Sequence, residues 1–314
     1  MLKNYSSATE FYLLGFYGSK ELHHLLFAIF FFLYSVTIMG NTVVIMTVCV
    51  DKRLQSPMYF FLGHLSVLEI LTTSVAVPLM LRGLLLSGMQ AISLPACGAQ
   101  LYLYLSLGSS ELVLLGAMAV DRYVAVCNPL RYSSIMSSHT CIWVVTVSWL
   151  FGFLFQIWPV YATFQLTFCK SNVLDHFYCD RGQLLTLSCD DSLFTEFILF
   201  LMAVFIIIGS LSPTIVSYTY IISTILKIPS ASGRRKAFST CASHFTVVVI
   251  GYGTCLFLYV KPSQTQAAQY NRVASVLVLV VTPFLNPFIF TLRNDKFIEA
   301  FRDVMKRCCH LLKG

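Results

Sequence analysis

Seven runs of the chain, roughly 25–50, 58–81, 98–121, 140–162, 196–222, 238–260 and 272–292, are long and apolar enough to cross a bilayer. A helix rises about 1.5 Å per residue, so roughly 30 Å of hydrocarbon takes about 20 such residues. The first, fourth, fifth and sixth runs read most clearly. The second carries Glu69, the third Glu111, and the seventh Pro283 and Pro287. Charged residues make up only 11% of the 314, and mean hydropathy is +0.76; ordinary soluble chains are about 25% charged. Polar groups are too few to coat a soluble globule. That excludes a soluble enzyme, a disordered chain and a small secreted domain stapled by disulfides.

The expected fold is an all-α membrane protein, a bundle of seven transmembrane helices. Residues 1–24 form an extracellular N-terminus, 25–292 the bundle, and 293–314 a short amphipathic eighth helix and cytoplasmic tail. With the N-terminus outside, 14 of the 21 Lys and Arg residues fall inside, among them Lys52, Arg53, Arg122, Arg131, Arg234, Arg235, Lys236 and Arg293. The positive-inside rule favours that orientation. The net charge of +7 is then a topology signal, and its division among short loops argues against nucleic-acid binding. Asn4 opens an N-x-S sequon on the outer side and is the expected glycosylation site. Residues 1–24 lack the apolar core of a cleavable signal peptide, so the first span is expected to direct insertion.

Of the eleven cysteines, Cys97, Cys169, Cys179 and Cys189 lie outside, where disulfides persist. Four cysteines allow three pairings. One opens the third span and three crowd the long loop at 163–195, so at least one bridge should tie loop to helix. Cys308 and Cys309, in the basic amphipathic tail, read equally as palmitoylation sites or free thiols.

Ionisable groups inside a bilayer are costly, and therefore functional candidates. Glu111 shares one helical face with Tyr104, Gly108, Leu115, Met118 and Arg122, which aims it into the bundle. If Glu69 meets it there, the two carboxylates share a proton or trap a cation such as Na⁺. The bland alternative is that each bonds a neighbour on its own helix. Asp121-Arg122-Tyr123 ends the third span as a candidate latch, and Asn286-Pro287 marks a candidate hinge in the seventh. Each is weak evidence alone.

In order along the chain, these features resemble a rhodopsin-like G-protein-coupled receptor and, within that fold, the odorant (olfactory) receptor family. The residues that carry the resemblance are Gly40-Asn41, Pro57-Met58-Tyr59-Phe60-Phe61-Leu62, the run from Met118 to Cys127, Ser217-Tyr218, the block Lys236-Ala237-Phe238-Ser239-Thr240-Cys241-Ala242-Ser243-His244, and Pro283 to Pro287 before Leu292-Arg293-Asn294. The resemblance implies Cys97–Cys179 and Cys169–Cys189 bridges and a volatile ligand. It also implies a stimulatory G protein that raises cAMP, and a plasma membrane setting in olfactory cilia with a trafficking chaperone as a further partner. The chain departs from the family pattern at Val120, Glu69, Phe290 and Gly251. Phe290 lacks a hydroxyl that could bridge to Tyr218, which places coupling efficiency, rather than the fold, in question.

Helical faces give the expected ligand site: Tyr104, Leu105, Gly108, Ser109 and Leu112 on the third span, Met202, Ala203 and Ile206 on the fifth, and Tyr252, Cys255, Leu256 and Tyr259 on the sixth. Each residue would serve equally in helix packing. None is charged, and a charged ligand desolvated without a partner costs several kcal/mol. The expectation is a small neutral alcohol, ester, ketone or aldehyde. Ligand binding would shift the bundle between two arrangements: Asp121 holds Arg122 in the resting one, and Tyr218 becomes its partner in the active one. Arg234, Arg235 and Lys236 would border the opened cleft, or simply face lipid.

A transporter would show internal repeats and more polar spans. An intramembrane enzyme would need paired ligands or a catalytic set at one depth, and the seven histidines show no such spacing. No cofactor is expected beyond Na⁺. The realistic alternative is a receptor of the same fold with a non-olfactory ligand.

Overall fold

The computed structural model describes residues 9–169, 171–190, 193–259, 267–291 and 294–311, without the side chains of residues 236, 240, 257–259, 267–269 and 307–311. In chain order come β1 (Glu10–Leu13), α1 (Lys20–Val50), α2 (Pro57–Leu86), β2 (Gln90–Ser93), α3 (Leu94–Cys127), α4 (Tyr132–Ile135), α5 (Ser138–Phe155), α6 (Ile157–Phe164), β3 (Val173–Leu174), α7 (Arg181–Thr186), α8 (Leu193–Leu226), α9 (Ala231–Tyr259), α10 (Ala267–Val276), α11 (Thr282–Thr291) and α12 (Asp295–Leu311). The fourth run is α5 with α6, and the seventh is α10 and α11 joined by a π-helical turn at Leu277–Val281.

By length and composition, Lys20–Val50, Pro57–Leu86, Leu94–Cys127, Ser138–Phe164, Leu193–Leu226 and Tyr270–Thr291 can each cross a membrane. The sixth run lies in α9, 29 residues long, whose first turns carry Arg234, Arg235 and Ser239 and whose apolar stretch, among the described side chains, is Cys241–Leu256. Exposure is inverted relative to a soluble protein. Phe32, Trp143, Leu154 and Phe205 stand outward, while Asn41, Glu69, Ser110, Asp121 and Asn286 are buried. Such an apolar exterior needs a lipid surround.

Local sequence sets the helix starts. Ser19 accepts from the amide of Leu22 at 3.3 Å, Ser137 from Thr140 at 3.2 Å, and Asp180 from Gln183 at 3.0 Å, the capping bonds that satisfy first-turn donors. Small residues let helices approach. A Cβ on Gly152 of α5 would stand 2.6 Å from the Ser106 carbonyl oxygen of α3.

The N-terminal segment is not a plain leader into the first helix. β1 pairs antiparallel with β2, Glu10 opposite Ser93 and Leu13 opposite Gln90, and parallel with β3 through Tyr12 and Val173. Two disulfides, Cys97–Cys179 and Cys169–Cys189, tie the long loop to α3 and to itself. At the opposite end, α12 lies along the bundle with Phe297, Ala300 and Val304 buried, a spacing of three and four.

Candidate functional site

Near its disulfide end the bundle encloses a cavity of about 810 Å³, in the size range of small-molecule sites. Nine of the twelve residues expected from helical faces line it: Tyr104, Leu105, Gly108, Ser109 and Leu112 of α3, Met202, Ala203 and Ile206 of α8, and Cys255 of α9. A Cβ on Gly108 would meet nothing within 4 Å, so the glycine opens space rather than admitting a neighbour.

Two of the expected residues stand elsewhere. Leu256 is 46% exposed and faces outward. Tyr252 is buried among Leu112, Ile207, Val248 and Leu211, with its hydroxyl 3.3 Å from the carbonyl oxygen of Leu112. On α9 the position three beyond Tyr252, Cys255, faces the cavity and the position four beyond, Leu256, faces outward. The side chain of Tyr259 lies outside those described, as do Lys236, Arg293 and Asn4; Cys308 and Cys309 likewise have no described side chains.

The wall also contains groups the sequence reading did not place there. Gln156, at the break between α5 and α6, donates from Nε2 to Ser109 Oγ at 2.8 Å, and Ser109 donates in turn to the Leu105 carbonyl at 2.7 Å. A lone amide between two apolar runs, just before Pro159, was the available signal. The expectation of a wall without charge is corrected. Glu111 lines the cavity one turn beyond Gly108, and Asp180, Arg181 and Glu196 line it from α7 and α8. Glu111 belongs on that face because i and i+3 coincide on a helix.

The loop covering the cavity is itself tied down by polar and aromatic contacts. Tyr178 packs edge-on to Tyr104 at 5.2 Å, and its hydroxyl lies 3.4 Å from Ser275 Oγ; burial pushes its phenol well above the usual value. His176, fully buried, reaches Ser275 with Nε2 at 3.3 Å, and burial holds its imidazole below the ordinary range. Arg272 of α10 pairs with Asp175 and lies 4.3 Å over the ring of Tyr17.

Deeper in the bundle, Asn286 donates to the carboxyl of Glu69, and Glu69 is an electrostatic neighbour of Glu111. Asn41 donates to the Pro283 carbonyl at 3.5 Å. Three oxygens on residues around this pair, Asn41 Oδ1, Thr72 Oγ1 and Asn286 Oδ1, are buried without a hydrogen-bond partner among the described residues. Pro287 packs against the first span, 3.3 Å from where a Cβ on Gly40 would stand.

At the far end of α3, Asp121 pairs with Arg122 and also accepts from the Tyr132 hydroxyl at 2.8 Å. Tyr123 lies 5.7 Å from the ring of Tyr220. Tyr218 is not beside Arg122 as a hydrogen-bond partner. Its hydroxyl meets Nδ1 of His244 at 2.6 Å, with the two rings stacked.

A family model described as olfactory receptor matches residues 30–308. Olfactory receptor 9A1 of Homo sapiens is 79% identical over 314 residues, covering 100% of both chains. Olfactory receptors 9A4 and 9A2 of Homo sapiens are 77% and 74% identical, again over the whole of each chain. The chain belongs to the olfactory receptor family. This olfactory receptor is accordingly a multi-pass membrane protein that responds to odorants and couples to G proteins, and is not an enzyme.

Proposed function

We propose that this olfactory receptor binds a small neutral volatile in the 810 Å³ cavity and activates a stimulatory G protein, raising cAMP. The observation that carries the reading is the cavity's middle wall, which is apolar from Leu105, Leu112, Phe155, Phe200, Met202 and Ile206. The charged groups stand at its two ends, Glu111 deep and Asp180, Arg181 and Glu196 under the loop. An alcohol, ester, ketone or aldehyde places its apolar body against that wall and one polar atom toward Ser109 or Tyr104. A second reading has its own support: Glu111 lines the cavity, so its carboxylate offers a counter-ion to an amine.

Activation in this reading starts from the arrangement described, with Arg122 held by Asp121. Release of Arg122 and transfer of the Tyr218 hydroxyl from His244 to the freed guanidinium would open the end of the bundle bordered by Arg234 and Arg235. Glu69 and Glu111 share a proton or hold Na⁺. The unpartnered oxygens of Asn41, Thr72 and Asn286 give the all-oxygen donor set a hard cation prefers. The N-terminus lies outside, Asn4 is glycosylated, the membrane is that of olfactory cilia, and a chaperone assists delivery.

A cAMP reporter in cells, challenged with neutral, acidic and amine volatiles, tests this. Arg122→Ala should abolish the response at unchanged surface expression. Glu111→Gln should leave responses to neutral volatiles within about threefold. A response to amines alone, lost in Glu111→Gln, would replace the neutral reading with the amine one.

A further inference from the structure

We propose that the receptor carries a second small-molecule site, apart from the cavity between α3 and α8, in a pocket of about 240 Å³ where residues 13–18 wrap over the end of α2. Its ligand class is a neutral aromatic or short aliphatic alcohol. The walls come from three parts of the chain: the segment before α1 with His23, the end of α2 with the turn after it, and Phe177 of the long loop.

The backbone is shaped around this volume. Gly15, Gly18 and Ser87, at φ of 69°, 151° and 48°, are the positive-φ residues among those described, and all three line the pocket. A Cβ at Gly15 would meet nothing within 4 Å, so that glycine serves the turn and not a close contact. The chain bends round the space instead of closing it.

The contents follow from the wall. Liquid water takes about 30 Å³ per molecule, so the pocket has room for about eight waters, or one organic molecule of similar size. Phe16 stacks on Phe177 at 5.2 Å, and Met80 and Leu84 complete an apolar lining. His23 Nε2 lies 3.0 Å from the Phe16 carbonyl oxygen. A carbonyl only accepts, so in the neutral ring the proton sits on Nε2 and Nδ1 is an acceptor. That Nδ1 is buried without a hydrogen-bond partner among the described residues, and a hydroxyl-bearing occupant that tilts the ring toward the pocket supplies the missing donor. Phe177 lies 5.4 Å from Tyr178, which lines the larger cavity. An occupant here would therefore tune ligand binding there through one shared wall.

The test uses full-length receptor in membranes, with benzyl alcohol as the probe. Ser87→Cys places a thiol on the pocket wall, and its labelling by methyl methanethiosulfonate is followed by peptide mass spectrometry. The thiolate attacks the sulfenyl sulfur, forming a disulfide and releasing methanesulfinate. Benzyl alcohol should slow labelling at position 87 several-fold while leaving the exposed Cys49 unaffected. Gly83→Leu in the same background should remove that protection, whereas Gly108→Phe, which fills the larger cavity, should leave it in place. Unprotected labelling of Ser87→Cys, slowing shared equally by Cys49, or protection abolished by Gly108→Phe would each overturn the proposal. The Ser87→Cys measurement stands whether or not Gly83→Leu folds, and whether or not the larger cavity takes neutral volatiles.

Discussion

His176 sits fully buried in the covering loop, facing Ser275 and Tyr178, with Asp175, Asp180 and Arg272 as its charged neighbours. Its pKa is depressed in the fold, chiefly by burial. The unfolded chain therefore binds the proton more readily, and stability falls as pH drops below about 6.5, by at most about 1.4 kcal/mol per pH unit. Thermal unfolding of detergent-solubilised receptor between pH 7.5 and 5 should show that decline, and His176→Gln should flatten part of it. An unchanged slope in the variant would remove His176 as its cause. Legibility at this scale depended on whether a residue announces its face. Glu111 does, because an acid in an apolar run must point inward, and residues placed by its phase lie on the cavity wall. Tyr252 does not, since a tyrosine suits either side, and Leu256 was misplaced with it. The Tyr218–His244 bond was invisible because it joins two spans with no shared spacing.

Helix approach is where single atoms decide the packing. At Gly152 an added Cβ would meet the Ser106 carbonyl at 2.6 Å and the Ser110 amide nitrogen at 2.7 Å, both backbone atoms that cannot swing aside. Gly152→Ala should separate α3 from α5 and cost about 1–3 kcal/mol, read as a lower unfolding temperature and reduced surface expression. A neutral Gly152→Ala would show that the two helices can slide apart freely. At the other end, Arg53 bonds Asp51, Asp303 and Glu299, joining the turn after α1 to α12, and the hydrogen bonds to Asp51 and Asp303 raise its pKa. The guanidinium is half-exposed, so Arg53→Ala should barely move the unfolding temperature while hydrogen exchange across 295–306 accelerates. Exchange identical to that of the parent would show that Phe297, Ala300 and Val304 alone hold the helix. The long apolar runs were legible as elements because bilayer thickness fixes their length. The three-stranded sheet was not, because four residues at Glu10–Leu13 carry no alternation strong enough to distinguish strand from leader.

The whole molecule has two polar ends separated by an apolar belt. One end is pinned by two disulfides, the sheet and the Arg272–Asp175 pair. The other is held by the Asp121–Arg122–Tyr132 cluster and the Tyr59–Asn294 bond at 2.7 Å. Between them the seventh span, α10 with α11, carries a π turn and Pro287 within its length, features at which helices bend. Asn286 ties that bend to Glu69 on α2. A ligand that favours one position of the bend gains a route to the Arg122 end without any long-range charge. The most direct measurement is the cAMP response of Gly108→Phe to the neutral volatiles that activate the parent receptor, at matched surface expression. The open space at Gly108 predicts a correctly delivered receptor whose response is lost or shifted at least tenfold to higher concentration. A response of parent potency would mean that the cavity between α3 and α8 is not where the odorant acts.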